Sequence, residues 1–490
     1  MTFDLVVIGS GPGGYKAAIT AAHLGAKVAL IEKDQAGGTC LNQGCIPKKT
    51  LLHLASLIEN CNDLQSHGLV GAARGDFNAA MRHKNEVVAG IRDNFSVWLK
   101  RLGVQIFLGE GRLVDSHNVE VAPSRFANPV TRAEEDLLVS DARTIETRRI
   151  IIATGSTPKN LPQCPVDGRI VLNSRDFMFN LDRLPETVLC VGGGAIGVEL
   201  GYFLHQFGAR VRIVEKSERL LNQARISERA SNMLERKFRR IGIAVDKELT
   251  VTEVRAGAES AEASFSDGTT GQYDCVLVAV GRQPMTEGLG LEHLGIVTTV
   301  DGFVHTSEYL ETSVPDVYAI GDVKPGPMTA NAALHDAKIA AANAVKGNHL
   351  HSNYFKVPVV INSALEIAAV GLTEEQAEEA GFESDVARSN LGGSGKARAH
   401  HDTEGFIEVV HDAETGQLLG GCIVGPEAGE QIHMMAAACQ SSRGLWFFKD
   451  MNYSHPSWCE ELETAIDPYT AAFAKSEKTI FRPGILAEYE

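Results

Sequence analysis

Aromatic side chains are scarce in this 490-residue chain, at 6% of positions with only three tryptophans. Positive charge is scarce too: 46 lysines and arginines face 62 aspartates and glutamates, for a formal net charge of −16. So acidic a surface favours solubility and argues against nucleic acid as the main partner. No run of about 18 apolar residues occurs, so no membrane span is expected. The opening MTFDLVVIGSGPGG lacks a basic stretch and runs straight into a strand pattern, which speaks against a signal peptide. Cysteine is sparse, scattered and odd in number, at nine residues. That usage excludes dense extracellular stapling and favours a cytoplasmic setting.

Glycine, by contrast, is plentiful at 48 residues, many of them in ordered motifs. The segment DLVVIGSGPGGYKAAITAAHLGAKVALIEK reads as strand, glycine turn, helix and second strand, ending near the acid Glu32. The design returns at TVLCVGGGAIGVELGYFLHQFGARVRIVEK, which ends near Glu215. Gly9, Gly11 and Gly14, then Gly192, Gly194 and Gly197, permit a tight turn, close approach to a pyrophosphate and close helix packing. In each unit the acid stands 18 residues past the last glycine, placed to accept a bond from a ribose 2′-hydroxyl. A carboxylate at Glu215 repels a 2′-phosphate, so NAD is favoured over NADP at the second unit. Arg212 and Lys216 flank that strand and work against this preference, whereas Arg210 and Arg219 read as solvated surface.

Two complete units imply two dinucleotide-binding domains, and a chain of this length is expected to hold two to four domains. Between them lie short strands from about Arg101 to Val121, and then a polar insert at 124–135. The apolar run at Ile150 to Pro158 and the similar GQYDCVLVAVGRQP each read as a strand entering a glycine turn. VYAIGDVKPGPMTANAALHDAKIAAANAV reads as strand, loop and alanine-rich helix. From about Phe355 the texture becomes α+β, with a hairpin turning near Glu414 to Gly416 and a helix at GEQIHMMAAACQSS. Asp322, after a strand and before a glycine-proline loop, is a plausible hydroxyl acceptor or a plain turn residue.

Cys40 and Cys45 stand five apart in GGTCLNQGCIPKKTLL. They do not make a four-ligand zinc site, and Cys61 stands alone; no metal is expected. Buried inert thiols are one reading. Crowding by Gly37, Gly38 and Gly44, the nearby Pro47 and Lys49, and a helix at LLHLASLIEN just beyond favour the other, a redox-active disulfide. His455 is followed by Pro456, which restrains its backbone, and by Glu460, which can reach back to the ring and fix its tautomer. An imidazole so held can relay protons near neutrality.

These motifs resemble the flavoprotein disulfide reductases of the pyridine nucleotide family, from residue 1 to about 465. Gly37 through Lys49 match GGTCxNxGCxPxK, Ala153 to Gly155 match the ATG signature, Ala319 to Asp322 the flavin signature, and His455 to Glu460 the closing histidine–glutamate signature. The nearest branch is the dihydrolipoamide dehydrogenases. The resemblance implies two Rossmann-like α/β domains, for FAD and NAD, followed by an α+β dimerisation domain. The boundaries it suggests are 1–157 (FAD, first part), 158–283 (NAD), 284–353 (FAD and central), 354–466 (dimerisation) and a tail at 467–490. It assigns Cys45 as the flavin-proximal thiol and Cys40 as the interchange thiol. It places Lys49 near the flavin, paired with Glu199, and the helix after Met328 with its N–H groups toward the flavin. It adds Lys33, Thr154, Gly155, Gly281 and Gly321 to the cofactor contacts. It makes the enzyme a homodimer in which the histidine serves the partner's cysteines, and implies a lipoyl-bearing carrier protein or lipoyl domain as partner.

Some positions depart from that branch. Lys48 replaces its usual serine, so that CIPKK is similar to glutathione reductases. Ala364-Leu365-Glu366, Asn331, Ser457 and Cys459 also depart, as do the insert and the tail. The expected activity is oxidation of a dihydrolipoyl dithiol with reduction of NAD⁺, ahead of a low-molecular-weight disulfide reductase, a mercuric reductase or a noncatalytic FAD-bound subunit.

Overall fold

The computed structural model describes residues 2–126, 132–222 and 225–473. Residues 127–131 of the polar insert and 474–490 of the tail lie outside the described residues, while 467–473 continue the helix Glu460–Phe473.

Two five-stranded parallel sheets carry the two glycine motifs. The first runs Val317–Ala319, Ile150–Ile152, Leu5–Ile8, Val28–Glu32, Val104–Leu108. The second runs Ala244–Asp246, Arg210–Val214, Thr187–Val191, Cys275–Val278, Val171–Asn173. Their central strands are buried throughout, as sheets covered on both faces must be, and so read as unbroken apolar runs. In each sheet the glycine-motif strand is the middle one, with its crossover helix Pro12–His23 or Ala195–Gln206 starting at the strand's carboxyl end. That is where a doubly wound sheet opens a crevice for ligands. A three-stranded antiparallel sheet is attached to each unit, Glu110–Asp115 with Asn118–Ala122 and Arg143–Glu146, and Val251–Ala256 with Ala261–Phe265 and Thr270–Tyr273.

The C-terminal part is a five-stranded antiparallel sheet in the order Val359–Asn362, Glu366–Gly371, Leu418–Val424, Phe406–Asp412, Ser384–Asn390. Helices Ala428–Ala438 and Glu460–Phe473 pack on it through Ile432, Met435, Leu462 and Ile466. One apolar core joins all three parts. Leu51, Leu52, Ala55 and Ile58 of the helix Cys45–Asn62 meet Val198, Leu200 and Phe203 of the second nucleotide unit and Ile361 and Phe406 of the C-terminal sheet. The helix that begins with a thiol is therefore packed against both of the other bodies at once.

The glycines divide by task. A Cβ on Gly14 or Gly197 would be driven into the carbonyl oxygen of Gly9 or Gly192, so these two let the helix lie against the strand. Gly11 and Gly194 have nothing within 4 Å of an added Cβ. Gly197→Ala is predicted to lower unfolding free energy by about 1–3 kcal/mol, as overpacking does. Gly11→Ala should stay within about 0.5 kcal/mol of the parent. Urea unfolding of the two variants checks the contrast.

Candidate functional site: a thiol pair between two nucleotide clefts

A continuous cavity of about 1810 Å³ runs from the first glycine motif to the second. Both Cys40 and Cys45 line it. Cys40 sits in the short helix Gly38–Asn42, and Cys45 is the first residue of Cys45–Asn62. The sequence had suggested that this helix starts beyond the pair; in fact its first turn carries the thiol, at the positive end of the helix dipole. Gly38 adopts φ +62°, and a Cβ there would strike Gly11. The thiol loop thus lies directly on the first glycine motif. Gly37 N donates to Ser10 Oγ at 3.0 Å, Ser10 Oγ donates to Glu32 at 2.6 Å, and Asn42 Nδ2 donates to the Ala36 and Gly38 carbonyls at 3.1 and 3.0 Å.

Neither Cys40 nor Cys45 is bonded to another cysteine, and both are half-buried. The Cys40 thiol donates to the Cys45 sulfur. That bond lowers the Cys45 thiol to about 7, helped by Lys48 and Lys49 against the opposing effect of burial. The same bond, together with burial, pushes Cys40 far above the ordinary thiol range. The two lysines thus favour charge on the Cys45 sulfur, while burial and its neighbour disfavour it on Cys40.

The partner of Glu199 is Lys48, not Lys49 as the sequence had suggested. Neighbouring residues on a helix point about 100° apart, and it is Lys48 that faces the second unit. The Glu199 side chain is 4% exposed, and its other oxygen accepts Asn362 N at 2.8 Å. Lys49 lines the cavity with no ion-pair partner among the described residues, and its charge acts on both Cys45 and Glu366.

The two strand-end acids are held alike. Glu32 accepts Ser10 N at 2.9 Å and Asp34 N at 2.8 Å; Glu215 accepts Gly193 N at 2.7 Å and Ser217 N at 2.8 Å. Both line the cavity, each beside open glycines that leave room for a pyrophosphate. These cradles fit dinucleotides. Arg212 is turned away: it donates to Asp246 at 2.7 Å and to the Tyr273 hydroxyl at 3.0 Å. Arg219 is spent on Asn222 and the Ile226 carbonyl. The basic residues that could have favoured a 2′-phosphate are mostly committed elsewhere.

Asp322 accepts Ser156 Oγ at 2.6 Å, and Arg282 donates to Ser156 Oγ and to its carbonyl, each at 2.7 Å. Burial pulls the Arg282 guanidinium below its ordinary value, opposed by Asp322. Sequence reasoning missed Arg282 and Ser156, although each adjoins a glycine turn that it had singled out. The helix Ala330–Lys346 starts at the N-cap Thr329, just after Met328 at φ +51°, and Gly326 to Ala330 all line the cavity. Lys33, Thr154, Gly155, Gly281 and Gly321 line it too, with Thr154 Oγ1 donating to the Met285 carbonyl at 2.7 Å. Gly14 and Gly197 do not; they are packing residues.

His455 lies outside this cavity, with its side chain 82% exposed. Three residues on, Trp458 meets His400 edge-on at 5.6 Å. His455 Nδ1 lies 3.0 Å from Glu460 Oε2, and the His455–Pro456 peptide is cis. The ring and its acid are joined as the sequence suggested, but a single chain does not bring them to its own thiols. Among the described residues no group of three or more His, Cys, Asp or Glu is arranged to hold a metal ion. No described helix is long and apolar enough to cross a membrane.

Two predictions follow from the charges. Alkylation of the reduced protein by iodoacetamide should rise through about pH 7 at Cys45. Lys49→Met should move that midpoint upward, toward the ordinary thiol value of about 8.5, because a cation favouring the thiolate is gone. Lys48→Met should move it the same way and also destabilise the fold by roughly 3–5 kcal/mol, because Glu199 is left buried and unpaired. Separately, Glu215→Ala should narrow the ratio of NADPH to NADH KM about tenfold, the equivalent of roughly 1.4 kcal/mol.

The chain matches the family model for pyridine nucleotide-disulphide oxidoreductases over residues 3–337 and that family's dimerisation domain over 357–466. It is 35% identical to a dihydrolipoyl dehydrogenase of Chlorobaculum tepidum over 470 residues, covering 94% of this chain and 96% of the relative. It is likewise 35% identical to one of Thermus scotoductus over 471 residues, covering 95% and 97%. Among solved structures, the Cu(II) complex of RclA from Escherichia coli, described as an HOCl-induced flavoprotein disulfide reductase, matches with TM-score 0.81 and 27% identity over 96% of this chain and 99% of that one. LpdA from Mycobacterium tuberculosis shares the fold, with TM-score 0.86 at 24% identity over 95% and 99%. Family, fold and thiol geometry agree: the chain belongs to the pyridine nucleotide-disulfide oxidoreductases, enzymes of FAD- and NAD-dependent redox chemistry, and carries their dimerisation domain.

Proposed function

We propose that this chain is an NADH-linked reductase of a low-molecular-weight disulfide, working through FAD and the Cys40–Cys45 pair. The observation that carries this reading is the buried Lys48–Glu199 ion pair beside a Cys45 thiol lowered to about 7. A lysine at position 48 is the feature that the sequence shares with glutathione reductases. A cation so placed favours the reduced, thiolate-bearing pair, the form that attacks a disulfide.

FAD would be held by Gly9, Gly11, Glu32, Lys33, Thr154, Gly155, Gly321, Asp322 and Met328, and NADH by Gly192, Gly194, Glu215 and Gly281. FAD supplies two-electron exchange between a nicotinamide and a dithiol, which cannot exchange hydride directly. The rest belongs to the protein. Cys40 gives up its proton and its sulfur attacks one substrate sulfur, expelling the other as a thiolate that takes a proton. The Cys45 thiolate then attacks Cys40 sulfur, closes the Cys40–Cys45 bond and releases the second substrate sulfur, which is also protonated. Two electrons have passed from the enzyme dithiol to the substrate. In a homodimer, His455 of the partner subunit would relay these protons, oriented by its bond to Glu460 as in the chain described here. The setting that fits is the cytoplasm.

A second reading runs the same steps backward, oxidising a dihydrolipoyl group on a carrier protein with NAD⁺. The names of the curated relatives support it, and exchange of this kind is reversible.

The readings separate in one assay. Flavin-loaded enzyme is given NADH or NADPH with free disulfides, and NAD⁺ with a dihydrolipoyl carrier domain. The proposal expects NADH-dependent turnover of free disulfides that is lost in Cys45→Ser. Turnover confined to the carrier domain would overturn it.

A further inference from the structure

The polar insert that begins at Ser124 takes no part in the thiol chemistry, yet its first residues are firmly placed. Ser124 Oγ donates to the Lys33 carbonyl at 2.7 Å, and Phe126 N donates to Ser124 Oγ at 3.2 Å. Lys33 directly follows Glu32, the acid of the first nucleotide cleft. The chain thus turns back onto the rim of that cleft and sets Phe126 there. Phe126 lines the cavity and is 42% exposed. The Arg125 guanidinium lies over the ring, 4.7 Å from its centroid. Arg125 does not itself line the cavity, so it backs the ring and leaves the other face to the cleft. A lone exposed phenylalanine is ordinary on a protein surface. This one is held by its backbone against a nucleotide cleft.

The strand order of the first sheet shows what reaches that rim. The Gly11 turn, at the carboxyl end of Leu5–Ile8, leaves room for a pyrophosphate, and Glu32, at the end of Val28–Glu32, is placed for a ribose hydroxyl. The next strand outward is Val104–Leu108. A dinucleotide that crosses the strand ends in this order lays its base over the end of Val104–Leu108. Gly109, Glu110 and Gly111 follow that strand and line the cavity together with Phe126. Glu110 pairs with Ala122, which returns the chain to the same strand end just before the insert. Among the described residues only Phe126 and Tyr354 bring an aromatic ring to the cavity, and the Tyr354 hydroxyl is engaged by Lys324 and Asp336.

We propose that Phe126 stacks on the adenine of FAD, with Arg125 behind it, and so holds the adenosine half of a cofactor whose phosphates lie on the glycine motif. A purine offers a flat face that an aromatic ring can cover whatever its substituents. The contact therefore selects a flavin dinucleotide over a flavin mononucleotide, not one base over another. It goes beyond the substrate reading above and needs only FAD in the first cleft.

The experiment measures equilibrium binding of FAD and of FMN to the full-length chain freed of flavin, by the change in flavin fluorescence. It compares the wild type with Phe126→Ala and Phe126→Trp. The wild type should bind FAD more tightly than FMN. Phe126→Ala should weaken FAD about tenfold, as loss of a base–aromatic stack does, and leave FMN within about twofold, because FMN has no base. Phe126→Trp should keep FAD within about threefold of the wild type, because a ring face is retained. The holoenzyme of Phe126→Ala should also lose FAD on dilution about tenfold faster, since such losses fall mostly on dissociation. Unchanged FAD affinity in Phe126→Ala would make the ring an ordinary surface residue. That result, equal losses for FAD and FMN, or a tryptophan variant as weak as the alanine one would each overturn the stacking while leaving the thiol–disulfide chemistry standing. A wild type that binds neither flavin would overturn both.

Discussion

The carboxylate of Glu199 organises this molecule. It comes from the second nucleotide unit, takes the Lys48 ammonium from the thiol helix, and accepts a backbone N–H from the C-terminal sheet at Asn362. A charge so buried persists only if it is paired and hydrogen-bonded. Satisfying it fixes three bodies relative to one another at the first turn of the helix that begins with Cys45. The apolar core around Leu51, Phe203 and Ile361 then holds what the ion pair has aligned. The electrostatic consequence falls on the thiols: two lysines and a helix N-terminus favour charge on Cys45, while the neighbouring sulfur and burial raise Cys40.

The rest of the site elaborates that arrangement. The thiol loop hangs from the first glycine motif through Ser10 and Glu32, so the residue that marks one nucleotide cleft also positions the sulfurs. Glu215 repeats the Glu32 bonding pattern at the second cleft. The cavity between them is continuous, so a redox group bound there can meet a nicotinamide at one end and a thiolate in the middle. The histidine stands apart, exposed and oriented by its own glutamate, on the domain that the family uses for dimerisation.

Much of this was legible in the sequence, for physical reasons. A glycine motif, its crossover helix and its terminal acid lie within about 30 residues, so local spacing encodes the cleft. His455 and Glu460 are five residues apart and find each other locally. What escaped the sequence is long-range or angular. Lys48 and Lys49 are adjacent, and choosing between them requires the face of the helix, which only packing decides. Arg282 reaches Ser156 across 126 residues, and Ser156 reaches Asp322 across 166.

The central claim is that the thiol pair and the flavin cleft work as one redox unit poised by the lysines. Anaerobic titration of the flavin-loaded protein with NADH tests it most directly. The account predicts uptake of more than one two-electron equivalent per flavin, with a long-wavelength thiolate absorbance growing during the first and absent in Cys45→Ser. Uptake that stops at a single equivalent, with no such absorbance in the native protein, would contradict it.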